Sequence, residues 1–100
     1  MMKRKIVTMC GSLKFADEIQ QIAEKLELEK EYVILGIIPH TMDRALTEQE
    51  AKLLGELHRE KIDISDAIFV VNIGGYIGEA VSDEIEYAMM KGKEIIYLED

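Results

Sequence analysis

Residues 67–78 read Ala-Ile-Phe-Val-Val-Asn-Ile-Gly-Gly-Tyr-Ile-Gly, and this stretch decides the fold. The first seven residues are almost continuously apolar and rich in β-branched side chains, which is typical of a buried strand. Three glycines within the next five residues end that strand in a loop. Because glycine lets a backbone approach a ligand closely, the stretch predicts a strand that leads into a binding loop.

A similar succession of strand, glycine turn and helix begins the chain. Residues 5–9 form a short β-branched run, Cys10-Gly11-Ser12 follows as a tight turn, and a helix is predicted to end near Glu29. Its apolar stripe consists of Phe15, Ile19, Ile22 and Leu26. The first strand therefore also ends in a glycine loop.

The remaining segments continue the alternation. Residues 32–38 predict a second strand, and Thr47 with Glu50 has the pattern of a capping box, which predicts a helix over about 48–61. Another helical stripe follows the loop at 74–78 and stops at Gly92, after which residues 94–98 return to a strand. The predicted order is βαβαβαβ.

This order predicts an α/β protein, a single domain over residues 1–100 with a Rossmann/flavodoxin-like fold. We expect a parallel sheet of four to five strands, with strand one central and helices on both faces. Ligands of such sheets bind beyond the carboxyl ends of the strands, where the strand order reverses. The two glycine loops should therefore face one crevice.

Composition limits the partners. A net charge of -8 argues against a nucleic acid polymer, whereas one small nucleotide can be held by a few backbone N–H groups. The chain has no apolar run of about 20 residues and no secretory signal pattern, so we expect a cytoplasmic protein without a membrane partner. A domain of this size buries a modest fraction of its surface, which favours a homodimer or higher homo-oligomer.

The single cysteine and the two histidines have no metal-ligand spacing, so no metal and no cofactor are expected. Cys10 is interpreted as a small buried residue at the first loop. His58 comes four residues after Leu54 and four before Ile62, which favours a half-buried packing histidine over a catalytic one.

Several residues of the two loops are candidates for ligand binding. Gly11 and Ser12, with the charge of Lys14, could hold a phosphate, although a strand-to-helix turn with Ser12 as N-cap explains the first two equally well. Tyr76 could stack on a base or merely cover its loop. The other candidates are Cys10 at the start of the first loop and the glycines of the second loop, namely Gly74, Gly75 and Gly78.

Two acidic residues are candidates for catalysis. Glu84 lies beside the apolar stripe of the third helix, because Val81 precedes it by three residues and Ala88 follows it by four. Asp66 stands directly before the strand at 67–73, which is the wrong end of a parallel strand for catalysis. Position alone therefore favours a capping role for Asp66.

These pieces together resemble the nucleoside 2-deoxyribosyltransferase family and the related deoxynucleoside monophosphate N-glycosidases. The resemblance rests on the loop at residues 10–14, on Ser65-Asp66 with the strand after it, and on the glycine loop with Glu84-Ile85-Glu86-Tyr87-Ala88 and Gly92-Lys93. It spans residues 6–98 approximately.

The resemblance implies that Glu84 is a nucleophile that attacks C1′ of a deoxyribose, and that Asp66 assists departure of the base. It also implies that Gly11, Ser12 and Lys14 hold a 5′ phosphate. The substrate would be a nucleoside or nucleotide, cleaved by water or transferred to a second base. Two alternatives stay open at this point, a catalytically silent nucleotide-binding module and an enzyme similar to the cytokinin-activating phosphoribohydrolases.

Overall fold

The computed structural model describes residues 3–38 and 43–100. Within them four strands form one sheet in the order β2-β1-β3-β4, and every pair of neighbouring strands is parallel. The predicted parallel α/β fold, with strand one inside the sheet, is confirmed. The strands are β1 (Ile6–Gly11), β2 (Val33–Leu35), β3 (Ala67–Val71) and β4 (Glu94–Tyr97), and the helices are α1 (Ala16–Lys30), α2 (Glu48–Asp63) and α3 (Glu79–Met90).

Helices cover both faces of the sheet. Successive side chains of a strand point to opposite faces, so apolar residues on each face need a helix to cover them. From β1, Met9 points toward α1 and packs in a cluster with Ile19, whereas Cys10 points toward α2 and α3. The cluster on the α2 and α3 side also contains Ile62 and Ile85. Successive residues of one central strand thus serve two separate cores.

The strand order reverses between β1 and β3, since the chain leaves β1 for β2 on one side and later returns to β3 on the other. The register places Gly11 opposite Val71, the last residues of the two strands. Ser12 and Asn72 therefore leave the sheet side by side. This is the switch point at which ligands of such folds bind.

Local signals set the start of α2. The Thr47 hydroxyl accepts from the Glu50 backbone N–H at 3.1 Å, and the Glu50 carboxylate accepts from the Thr47 N–H at 2.9 Å, which confirms the capping box. The buried Thr8 hydroxyl ties the other end of this helix to β1, through a 2.6 Å contact with the Ser65 hydroxyl and a 3.1 Å bond to the Lys61 carbonyl.

Several boundaries differ from the sequence prediction. The strand expected over residues 67–73 ends at Val71, and a 3-10 turn, Ile73–Gly75, follows it. The second strand covers only Val33–Leu35 instead of residues 32–38, because it is an edge strand that pairs with just three residues of β1. A short 3-10 turn, Leu13–Phe15, precedes α1. Within the described ranges, no helix is both long enough and apolar enough to cross a membrane.

The amino-terminal part of the apolar stripe of α2 is not covered by the rest of the described chain. Leu53, Leu54 and Leu57 are 52%, 50% and 44% exposed, whereas Ile62 at the end of the helix is completely buried. Leu54 and Ile62 lie on the same helix face, eight residues apart. Only the carboxyl-terminal part of this stripe therefore packs on the sheet, and its leucines are left exposed.

Candidate functional site

The two glycine loops meet at the switch point. The Lys14 ammonium, from the turn after β1, lies 3.4 Å from the ring centroid of Tyr76 in the loop after β3. The Phe15 ring meets the same tyrosine edge-on, with 6.1 Å between centroids. The two loops therefore contact each other at the switch point, and Tyr76 packs against the Lys14 and Phe15 side chains there.

The second loop is held by the segment that follows β4. Gly74 and Gly75 have φ values of 67° and 79°, in the left-handed region that favours glycine. The Gly74 N–H donates to the Glu99 carboxylate at 3.1 Å, and the Asn72 side chain exchanges two hydrogen bonds with the Glu99 backbone, at 2.8 and 2.9 Å. The Gly74 amide, one of those expected to bind ligand, is thus engaged by a carboxylate of the chain itself.

The first loop has local structural roles beside any role in binding. A Cβ on Gly11 would stand 2.9 Å from Ile19 Cδ1 and 3.2 Å from Val71 Cβ, so this glycine permits close packing of α1 on the sheet. The Ser12 hydroxyl accepts from the Lys14 N–H at 3.3 Å, as an N-cap does. Both residues still lie at the switch point, because β1 ends at Gly11 opposite Val71.

Glu84 meets His58 beneath the first loop. His58 Nε2 lies 3.4 Å from Glu84 Oε1, and the two side chains are only 12% and 25% exposed. The same Nε2 lies 3.5 Å from the sulfur of Cys10, which is completely buried and directly precedes Gly11. One donor atom from each of the three side chains falls within 4.8 Å of the other two.

The environment of Cys10 keeps its thiol protonated. Burial raises its pKa well above the ordinary value, and the negative charge of Glu84 and a hydrogen bond to that carboxylate raise it further. In the free protein the sulfur is therefore a neutral hydrogen-bonding group and a poor nucleophile.

Asp66 does not join this cluster. Its carboxylate accepts a hydrogen bond of 2.8 Å from the Ile6 N–H, at the amino ends of β1 and β3. The five residues of β3, at about 3.3 Å each, separate that edge from the glycine loops. Asp66 therefore links two strand starts, a structural role that differs from the helix cap favoured by its position in the sequence.

His58 is the site residue that sequence reasoning set aside. It is 48 residues from Cys10 and 26 from Glu84, so no local spacing connects them. The available signal was the helical period, because His58 precedes the buried Ile62 by four residues and therefore faces inward. A polar residue on an inward helix face needs a polar partner there. Glu84 meets this need, because it precedes the buried Ala88 of α3 by four residues and also faces inward.

The fold and the site together define a parallel α/β protein with a Cys-His-Glu cluster under its switch point. Comparison with protein-family models gives no match, and comparison with curated proteins gives no significant match. The argument about function therefore depends on the site itself.

Proposed function

We propose that this chain cleaves or transfers the N-glycosidic bond of a 2′-deoxynucleoside or its 5′-monophosphate, with Glu84 as the nucleophile. The observation that supports this most directly is the pairing of the half-buried Glu84 carboxylate with His58, beside the loops that meet at the switch point. A nucleophile must be held in position, and His58 restrains one carboxylate oxygen. The resemblance to the deoxyribosyltransferases agrees with this assignment.

The proposed reaction has two steps. A Glu84 oxygen forms a bond to C1′ while the bond between C1′ and the base nitrogen breaks, and the departing base keeps that electron pair and takes a proton from water. The resulting hydroxide then attacks C1′ and releases the Glu84 carboxylate. In transfer, a ring nitrogen of a second base attacks C1′ instead, and its proton returns to the hydroxide to give water.

The two loops offer groups for both ends of such a substrate. The Lys14 ammonium supplies a positive charge for a 5′ phosphate, and Tyr76 supplies an aromatic face for the base. Both belong to loops that lead from the carboxyl ends of the central strands. The proposal leaves Asp66 out of base departure, because its carboxylate is bonded at the opposite edge of the sheet.

A substrate panel tests the proposed function. The protein is incubated with deoxynucleosides, ribonucleosides and their monophosphates, and released base is separated by chromatography. We expect release from at least one deoxy compound, and a reduction by several orders of magnitude in Glu84→Ala with affinity within about tenfold. Asp83→Ala and Glu86→Ala are the matched controls, since neighbouring helix positions point about 100° or more away.

Wild-type turnover in Glu84→Ala would refute the nucleophile assignment. If the parent protein binds nucleotides but releases no base from any of them, the chain is a silent binding module instead. Activity on ribonucleotides alone would favour the phosphoribohydrolase alternative.

We also propose that a second copy of the chain covers the leucine stripe of α2. The exposed side chains of Leu53, Leu54 and Leu57 support this assembly, because an uncovered apolar stripe favours association with a second surface. Light scattering at micromolar concentration should then give a dimer or higher oligomer. Leu54→Lys should shift it to monomer, whereas Lys52→Glu on the same exposed helix should not; a monomeric parent protein contradicts this assembly.

A further inference from the structure

The Cys10, His58 and Glu84 side chains converge although they come from three different elements. Cys10 belongs to β1, His58 to α2 and Glu84 to α3, so only the packed fold brings them together. Each directs one donor atom into the same small space, a sulfur, an imidazole nitrogen and a carboxylate oxygen. These are the three donor types that zinc accepts in proteins.

The distances between the donors also fit a shared ion. Nε2 of His58 is 3.5 Å from the sulfur, a hydrogen-bond distance for that larger atom, and 3.4 Å from the carboxylate oxygen, which is long for a hydrogen bond between nitrogen and oxygen. A neutral imidazole nitrogen carries one hydrogen or one lone pair, so it cannot pair well with both neighbours. Ligands at ordinary zinc distances and tetrahedral angles are separated by about 3.5 Å for S and N, and by about 3.4 Å for N and O.

We propose that Cys10, His58 and Glu84 form a three-ligand site for a zinc-class divalent cation, with a fourth position open to the crevice. A thiolate donor selects such a cation over Mg²⁺ or Ca²⁺, which prefer oxygen ligands. A thiolate and a carboxylate together neutralise the two positive charges, which suits a cluster with a completely buried sulfur.

The inference depends only on the three donors and does not require glycosidic activity. It has a consequence for that activity, because an ion bound to Glu84 Oε1 occupies the proposed nucleophile. The metal-loaded protein should therefore release base more slowly than the metal-free protein. The cation would act as an inhibitor of the proposed reaction rather than as its cofactor.

Metal titration without any nucleoside tests the site. Protein stripped with a chelator is titrated with Zn²⁺ by calorimetry and with Co²⁺ by absorption spectroscopy. We expect one ion per chain, a thiolate-to-Co²⁺ charge-transfer band and the intense visible bands of tetrahedral Co²⁺. His58→Gln and Glu84→Gln should each weaken the Zn²⁺ affinity at least about tenfold, and Cys10→Ser should abolish the charge-transfer band.

The matched control is His40→Gln, which removes the other histidine of the chain, and Glu86→Gln serves the same purpose on α3. Both should bind like the parent protein. Absence of Zn²⁺ binding, a Co²⁺ spectrum without the thiolate band, or binding that survives His58→Gln would overturn the site. If Cys10→Ser does not fold, the Co²⁺ spectrum of the parent and the other two variants still decide. A failed metal titration would not contradict the proposed base release, and a failed base-release assay would not contradict the proposed metal site.

Discussion

His58 and Glu84 belong to different helices and meet with 3.4 Å between Nε2 and Oε1, 26 residues apart in the chain. Each lies on the inward side of its helix, close to the end of β1. The pair connects α2 to α3, because His58 belongs to the first helix and Glu84 to the second. A small displacement of either helix would therefore move the proposed nucleophile.

Replacing His58 should separate rate from binding. In His58→Gln the Glu84 carboxylate loses the group that orients it, and a misplacement of about 1 Å can reduce the rate about hundredfold. We expect the affinity for a nonreacting nucleotide to change less than about threefold. Single-turnover base release and calorimetry measure the two quantities, with Glu56→Gln on the exposed side of α2 as the control. An equal loss of rate and affinity would show that His58 binds substrate instead.

Lys14 should distinguish a monophosphate from a nucleoside. Its ammonium lies over Tyr76, at the meeting of the two loops, and hydrogen bonds to charged groups contribute about 1.5–3 kcal/mol. Lys14→Met should therefore weaken monophosphate binding about ten- to hundredfold and leave nucleoside binding nearly unchanged. Calorimetry with both ligands measures this, and Lys25→Met on α1 is the control. Equal weakening of both ligands would place the phosphate elsewhere.

Gly11 should be required for packing. The added Cβ of Gly11→Ala would stand 2.9 Å from Ile19 Cδ1 and 3.2 Å from Val71 Cβ, and such overpacking typically costs about 1–3 kcal/mol. Urea unfolding should show this loss of stability. Gly55→Ala is the matched control, because Gly55 lies within α2 with open space around it and alanine there should stabilise by up to about 1 kcal/mol. Equal stability of Gly11→Ala and the parent would contradict the packing role.

Tyr87 should make stability depend on alkaline pH. Its hydroxyl donates to Asp63 at 2.6 Å, and this bond, with burial and the charge of Asp63, raises the pKa of the phenol above its ordinary value of 10.0. A raised pKa stabilises the fold fully below the pKa of the unfolded chain, and the contribution is lost as the pH rises through the folded value.

Urea unfolding of the parent and Tyr87→Phe checks this sign. The parent should be the more stable of the two at neutral pH, and the difference should shrink above about pH 10. Tyr97→Phe on β4 is the control, because it also removes one phenol hydroxyl but not the bond to Asp63. A difference between parent and Tyr87→Phe that is constant across this range would refute the link to Asp63.

Local patterns predicted most of the fold because they act over a few residues. The continuous apolar run at 67–73 and the Thr47–Glu50 capping box each specify their element without outside contacts. The second strand was predicted too long, since the length of an edge strand is set by its partner, and β1 pairs with only Val33–Leu35. Strand pairing depends on the tertiary structure, so the apolar run alone does not predict where the strand ends.

The candidate site was predictable only in part, for the same reason. Glu84 and the two loops could be found because strand, loop and helix follow one another directly in the chain. The cluster of Cys10 and His58 around Glu84 depends on how α2 and α3 pack against β1. The spacing of cysteine and histidine along the sequence therefore could not reveal this cluster, because its three donors come from separate elements that only the fold brings together.

The alternation of side chains along the end of β1 has an evolutionary consequence. Cys10 faces His58 and Glu84, whereas Gly11 faces the core beneath α1. Selection therefore acts on these two adjacent positions for different reasons. Position 10 can diverge with the chemistry while position 11 stays constrained by helix packing. A lineage with this architecture could thus change one donor of the Cys10, His58 and Glu84 cluster by a single substitution and keep its scaffold intact.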